Sequence, residues 1–138
     1  MTNILKISEA ASLGLHAMII LAKNPNELVS VKYIADTLEV SANHLSKVMQ
    51  RLVKSDLVRS IKGNGGGFKL VQNPETVTLL DIYEAIDGKF RPSGCLLERQ
   101  NACDPENCIL GGLVKSLNTQ VEDHFKNTKL SSFIGDQK

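Results

Sequence analysis

Cys95, Cys103 and Cys108 are the three cysteines of this chain, separated by seven and four intervening residues. They stand among Arg99, Gln100, Asn101, Asp104 and Glu106 in a stretch broken by Pro92, Gly94 and Pro105, whereas buried structural thiols sit on apolar faces. Thiolates are soft ligands, so three of them on a loop suit an iron–sulfur cluster or zinc with a fourth ligand drawn from elsewhere. No Cys-x-x-Cys pair occurs, which counts against a zinc ribbon. Cluster, zinc, metal-free redox thiols and inert cysteines all remain open on the residues alone, with the cluster preferred. An odd number of thiols without a secretory signal points to a reducing compartment, and so to the cytoplasm. No histidine and acid accompany a cysteine as a nucleophile would need, so neither an enzyme nor a small-molecule substrate is expected.

A second group of residues carries a different chemistry. Asn43, Lys47, Arg51 and Lys54 follow one another at helical spacing, forming a polar and mostly basic stripe that can face phosphates and base edges. The net charge of +1 hides a strong asymmetry. From Ser41 to Lys69 six cations face Asp56 alone, a net of +5; from Asp81 to Phe125 four cations face eight acids, a net of −4. A basic segment on an otherwise acidic chain is the footprint of a nucleic-acid reader.

The elements that must carry these residues follow from periodicity. In VKYIADTLEV, Val31, Ile34, Ala35 and Leu38 recur at helical spacing; in ANHLSKVMQRLVKS, Leu45, Val48, Leu52 and Val53 do the same. The two helices meet across Glu39, Val40 and Ser41, with Ser41 as N-cap of the second. Next, Leu57 to Lys62 is β-prone and is followed by GNGGG and FKLV, a hairpin whose glycines permit a tight tip and close backbone approach. Phe68 stands where a dinucleotide fingerprint from Gly63 needs glycine, so a phosphate loop is rejected.

A first helix is expected over about Ser8 to Lys23, with Ile7, Ala10, Ala11, Gly14, Ala17, Met18 and Leu21 on one face, ended by Asn24 and Pro25. Thr78 and Asp81 resemble a capping box that opens LLDIYEAID, with Gly88 as an αL cap. A final helix is read from Ile109, with Leu113, Leu117, Val121 and Phe125 every four residues and with Gly111 and Gly112 inside it. Its length favours packing on a second copy, so a homodimer is expected. The run Leu13 to Ala22 is too short to span a bilayer.

With 138 residues and 42% apolar content the chain suits one compact fold. It is mainly α with a small β-hairpin wing: a winged helix-turn-helix domain over 1–88, a cysteine-containing sensor loop over 89–108, and a dimerisation helix and tail over 109–138.

Taken together, ISEAASLGLHAMIILA, VSVKYIADTLEVSANHLSKVMQRLVKSDLVRSIKGNGGGFKL, VTLLDIYEAIDG and the three-cysteine loop resemble the Rrf-type winged helix-turn-helix regulators over nearly the whole length. This is the family of the iron–sulfur sensor IscR and the nitric oxide sensor NsrR. The resemblance implies a homodimer on double-stranded operator DNA, with recognition helices in successive major grooves and wings at the minor groove. By position it puts Ser41, Asn43 and His44 nearest base edges, Lys47 and Arg51 nearer phosphate, and Arg59 at the minor groove. Lys62, Asn64 and Gly65 fall at the wing tip, where Asn64 replaces a proline common in the family.

The resemblance also implies an iron–sulfur cluster on Cys95, Cys103 and Cys108, with its type and its occupancy in purified protein left open. Gly111 stands where IscR-like members carry a histidine ligand. Other members borrow a ligand from the partner's first helix, which makes His16 of the partner subunit a candidate here and Glu9 of the partner subunit a second. A metal-free thiol sensor and a zinc-stabilised protein-interaction module are the alternatives.

Overall fold

The computed structural model describes residue 5 and residues 7–91 and 109–135. Its helices are α1 (Glu9–Lys23), α2 (Val31–Leu38), α3 (Ala42–Lys54), α4 (Leu79–Asp87) and α5 (Leu113–Asn127), with strands β1 (Val58–Ile61) and β2 (Gly67–Leu70) after α3. Short 3-10 turns at Pro74–Thr76 and Leu130–Phe133 complete the set. The architecture is the expected one, mostly helical with one antiparallel hairpin.

Local chemistry starts each helix where the sequence places it. Ser8, Ser30 and Ser41 each accept a bond from an amide in the first turn of α1, α2 and α3, removing a donor that would otherwise lack a partner. Thr78 and Asp81 form the reciprocal capping box on α4. Between α2 and α3 the chain reverses at Glu39, which takes the left-handed conformation at φ 57°.

The core is built from one face of each helix. Ala11, Ala17, Met18 and Leu21 of α1 meet Leu45, Val48, Met49 and Leu52 of α3 and Leu79, Ile82 and Ile86 of α4. Gly14 lets α1 approach closely, since a Cβ there would lie 3.0 Å from Ile86 and 3.6 Å from Val48. Met49 completes the buried face of α3 beside the residues expected from periodicity.

Four features differ from the sequence expectation. The last helix begins at Leu113, not Ile109: residues 109–112 form turns, Gly111 is left-handed at φ 59°, and Gly112 caps the helix. The two glycines therefore precede α5 instead of weakening it. Gly88 closes α4 at φ 81°, ψ −176°, which is not αL but an extended mirror region open essentially to glycine alone. Third, the segment after α5 returns to the core: Leu130 is fully buried, donates its N–H to the Val77 carbonyl at 2.8 Å, and follows Thr128, whose carbonyl accepts from Leu79.

The fourth is a strand-like edge. Val29 exchanges both backbone bonds with Phe68, at 3.0 and 2.8 Å, so the residues just before α2 pair with the outer edge of the wing. Gly67 sits at this seam, and a Cβ on it would fall 2.5 Å from the Val29 carbonyl oxygen. Both sides of that clash are backbone. Gly67→Ala is therefore expected to destabilise the fold by about 1–3 kcal/mol, toward the upper end, as overpacking against atoms that cannot rotate away. Urea unfolding of the variant and the wild type checks this. Equal midpoints for the Gly67 variant and wild type would refute the seam.

Candidate nucleic-acid interface

The hairpin and α3 bring most of the expected contact residues to the surface. Ser41, Asn43, Lys47, Arg51, Arg59, Lys62, Asn64 and Gly65 are all exposed, and His44 is half-buried. The side-chain oxygen of Ser41 is engaged at 3.1 Å by the His44 amide, so the residue is tied to its capping role. The imidazole of His44 has its Nε2 buried with no hydrogen-bond partner, so this nitrogen does not point outward as a base-reading group would.

Arg51 departs most from its expected role. Its Nη1 donates to the Ile86 carbonyl at 2.9 Å, across 35 residues of sequence, so the guanidinium links the end of α3 to the end of α4. A cation there also complements the negative end of the α4 dipole. The row that faces solvent without such a tie is Asn43, Lys47, Gln50 and Lys54. Gln50 is the member that sequence reasoning missed. Its signal was available, since spacings of four, three and four describe a helix face as well as the row through Arg51 does. Attention to charge alone passed over an amide, although Gln can pair bidentately with adenine.

In the wing, β1 and β2 pair with Arg59 opposite Lys69 and Ile61 opposite Gly67. Gly63 and Gly65 take positive φ, 104° and 77°, and the Gly66 amide closes the turn on the Gly63 carbonyl at 3.0 Å. Asn64 thus stands exposed between two residues in the conformation that glycine favours.

The end of α4 is a junction. Besides Arg51, it receives Ser8, whose hydroxyl donates to Asp87 at 2.7 Å. Beyond Gly88 the chain folds back, with the Phe90 amide donating to the Glu84 carboxylate at 2.8 Å and its ring edge-on to Tyr83. Tyr83 also meets Phe125 of α5 edge-on. Burial, followed by the negative Asp87 and Glu84, pushes the Tyr83 phenol above its usual range, which keeps it neutral between the two rings. The end of α3, the start of α1 and the residues that lead toward the cysteines are therefore joined at one place.

Cys95, Cys103 and Cys108 lie outside the described residues. Among the described residues no group of three or more His, Cys, Asp or Glu side chains could hold a metal. Glu9 and His16 are both exposed on α1. His16 Nδ1 lies 2.7 Å from the Ser12 carbonyl oxygen. A carbonyl only accepts, so Nδ1 is the donor of this contact and the ring is tied to the helix backbone on that side. No helix of the described residues is long and apolar enough to cross a membrane.

A family model described as Rrf2, iron-dependent transcriptional regulator, matches residues 7–136. The chain belongs to the Rrf2 family. The HTH-type regulator BadM of Rhodopseudomonas palustris is 44% identical over 102 residues, covering 74% of this Rrf2 chain and 63% of BadM. The HTH-type transcriptional regulator NsrR of Bacillus licheniformis is 35% identical over 100 residues, 72% of this chain and 70% of that one. Among solved structures, the global cysteine regulator CymR of Bacillus subtilis superposes with a TM-score of 0.78 at 29% identity, over 98% of this chain and 100% of CymR. This Rrf2 protein is accordingly a transcriptional regulator and not an enzyme.

Proposed function

We propose that this Rrf2 protein is a cytoplasmic homodimer that binds double-stranded operator DNA and changes its affinity with the state of an iron–sulfur cluster on Cys95, Cys103 and Cys108. The observation that carries the DNA reading is the exposed row Asn43, Lys47, Gln50 and Lys54 on α3, continued by Arg59 and Lys62 on the wing with few acids nearby in sequence. Asn43 and Gln50 are the base readers of this proposal, and Lys47, Lys54 and Lys62 the phosphate contacts. Arg59 lies at the minor groove, with Asn64 and Gly65 at the tip beside it. Ser41 and His44 serve the start of α3, and Arg51 divides its charge between DNA and α4.

Dimerisation falls to the segment 109–127. Ile109 is 86% exposed and Leu113 51%, and of the apolar residues on α5 only Phe125 is buried in the protomer. Such a cluster is what an unpaired half of a helix interface presents. The proposed division is a winged helix-turn-helix domain over 1–88, a sensor loop over 89–108 and a dimerisation helix and C-terminal tail over 109–138, with Leu130 of the tail reaching back into the first.

The donor set fits a cluster. Three thiolates need a fourth ligand, and Gly111 supplies no side chain where related proteins have a histidine. His16 of the partner subunit is the ligand we assign, because its Nδ1–H is held by a backbone carbonyl, the arrangement that orients metal-bound histidines. Glu9 of the partner subunit, on the same face of α1 about two turns earlier, is the weaker candidate. When bound, the cluster supplies a group whose oxidation, nitrosylation or loss favours one dimer geometry over another, and only such differential binding can shift the equilibrium. The junction at Ile86 and Asp87 is the route from that loop to α3.

Anaerobic purification with iron and sulfide analysis and absorbance spectra tests the cluster. Iron, sulfide and charge-transfer absorbance are expected, and colourless, iron-free protein from a cluster-competent preparation would overturn it. His16→Ala is expected to shorten cluster lifetime by about ten-fold or more, since even outer-shell changes commonly cost 10–100-fold in metal affinity. Spectrum and iron content equal to wild type would return His16 to the ordinary surface. A metal-free thiol sensor is the second reading, favoured by Gly111 in the ligand position and by the likeness to a cysteine regulator. Reversible loss of free thiols on mild oxidation, without iron at any stage, would support it.

A further inference from the structure

We propose that Lys69 binds duplex DNA together with Arg59, the two forming a cationic clamp on the outer face of the wing that grips phosphates beside a minor groove. This rests on the DNA-binding reading above and adds a contact residue to it. Phe68 spends its N–H and its carbonyl on Val29, so both point away from β1. Ser60 and Phe68 are then a non-hydrogen-bonded pair of the hairpin, and Arg59 and Lys69 next to them are a hydrogen-bonded pair.

Directly opposed residues leave a ribbon on the same face, with Cβ atoms about 5.5 Å apart. Here the faces are sorted cleanly. Val58 and Phe68 are buried on the inner side, whereas Arg59, Ile61 and Lys69 are exposed on the outer side. Two like charges directly across a ribbon destabilise it. Among the described residues no carboxylate forms an ion pair with either cation. An anion between them relieves the repulsion and gains two contacts at once, which a duplex offers as consecutive phosphates. Lys62 at the tip extends the same sign of charge. The clamp thus continues the basic row of α3 onto a second element.

The test uses full-length protein and a duplex of about 30 base pairs with an A·T-rich centre, long enough for two half-sites a helical turn apart. Binding is followed by fluorescence anisotropy across a salt series for wild type, Lys69→Gln, Arg59→Gln, the double variant, and Lys23→Gln at the exposed end of α1 as control. Losing one phosphate contact per protomer should reduce the salt slope by about 1.8 for the dimer, at about 0.9 per contact. Lys69→Gln should melt no lower than wild type, because it removes a repulsion. If it does melt lower, Lys69→Arg, which keeps the charge, must restore the wild-type slope. The double variant should lose less affinity than the two single losses combined, since both cations serve one stretch of backbone. A Lys69→Gln slope equal to that of Lys23→Gln, or fully additive losses, overturns the clamp while leaving DNA binding intact. Absence of salt-dependent binding in the wild type instead removes the DNA reading itself, and the clamp with it.

Discussion

Raising salt from about 50 to 200 mM is expected to weaken operator binding by about a thousand-fold or more, the range for proteins that neutralise six or more phosphates. Each protomer offers Lys47, Lys54, Arg59 and Lys62 as exposed cations on α3 and the wing, so a dimer can reach that number without using every one. The physical origin is release of condensed counterions. The effect is therefore steep in salt and nearly indifferent to sequence, which separates it from base reading by Asn43 and Gln50. Substituting those two should erode discrimination between duplexes while leaving the slope in place.

The same measurement divides Lys47 from Arg51. Lys47→Ala should reduce the slope by the full amount for a phosphate contact. Arg51→Ala should reduce it less and also lower the melting temperature, because Nη1 holds the Ile86 carbonyl. A charge-assisted hydrogen bond is worth about 1.5–3 kcal/mol when shielded, and less at this partly exposed position. Affinity indifferent to salt, or unchanged in the Lys47→Ala, Arg51→Ala double variant, would sink DNA binding as the function.

Leu130→Ala is expected to destabilise the protein by about 2–5 kcal/mol, the range for removing a large side chain from a well-packed site. Leu130 is 0% exposed and lies in a segment bonded by its backbone to Val77 and Leu79. It lies beyond α5 in sequence yet belongs to the core that α1, α3 and α4 build. A stop after Asn127 should accordingly cost at least as much, since it also removes the backbone bonds of Thr128 and Leu130. Phe133→Ala, on the exposed side of the same turn, should cost far less. Chemical unfolding of the three variants decides the matter: a Leu130→Ala cost under about 1 kcal/mol would mean that the site is not the packed core it is drawn to be.

Much of this was legible in the sequence because the governing physics is local. Ser8, Ser30 and Ser41 mark helix starts by the chemistry of one hydroxyl, and Thr78 with Asp81 does so reciprocally. The apolar period of α1 to α4 shows which face is buried, since the helical period is fixed by the backbone. Of the tip glycines, Gly63 and Gly65 take the positive φ that the turn requires. Family membership was readable for the same reason, as it resides in contiguous motifs.

What stayed hidden was non-local or had two local solutions. Ile109 to Gly112 carry apolar residues at helical spacing, but the left-handed Gly111 breaks the helix before it can begin. The row through Arg51 and the row through Gln50 are equally good helix faces in one dimension. Only the position of α4, with Ile86 offering an unpaired carbonyl, draws Arg51 aside and leaves Gln50 in the exposed row.

By itself, then, the sequence determined the helices α1 to α4, the hairpin, the basic face and the family. The tertiary structure alone decided that Val29 closes the edge of the wing, that Gly67 is required there for backbone approach, that Leu130 belongs to the core, and that Arg59 and Lys69 stand directly opposed. Each of these depends on a contact between residues distant along the chain, and such contacts are fixed by packing in three dimensions and leave no period in the sequence.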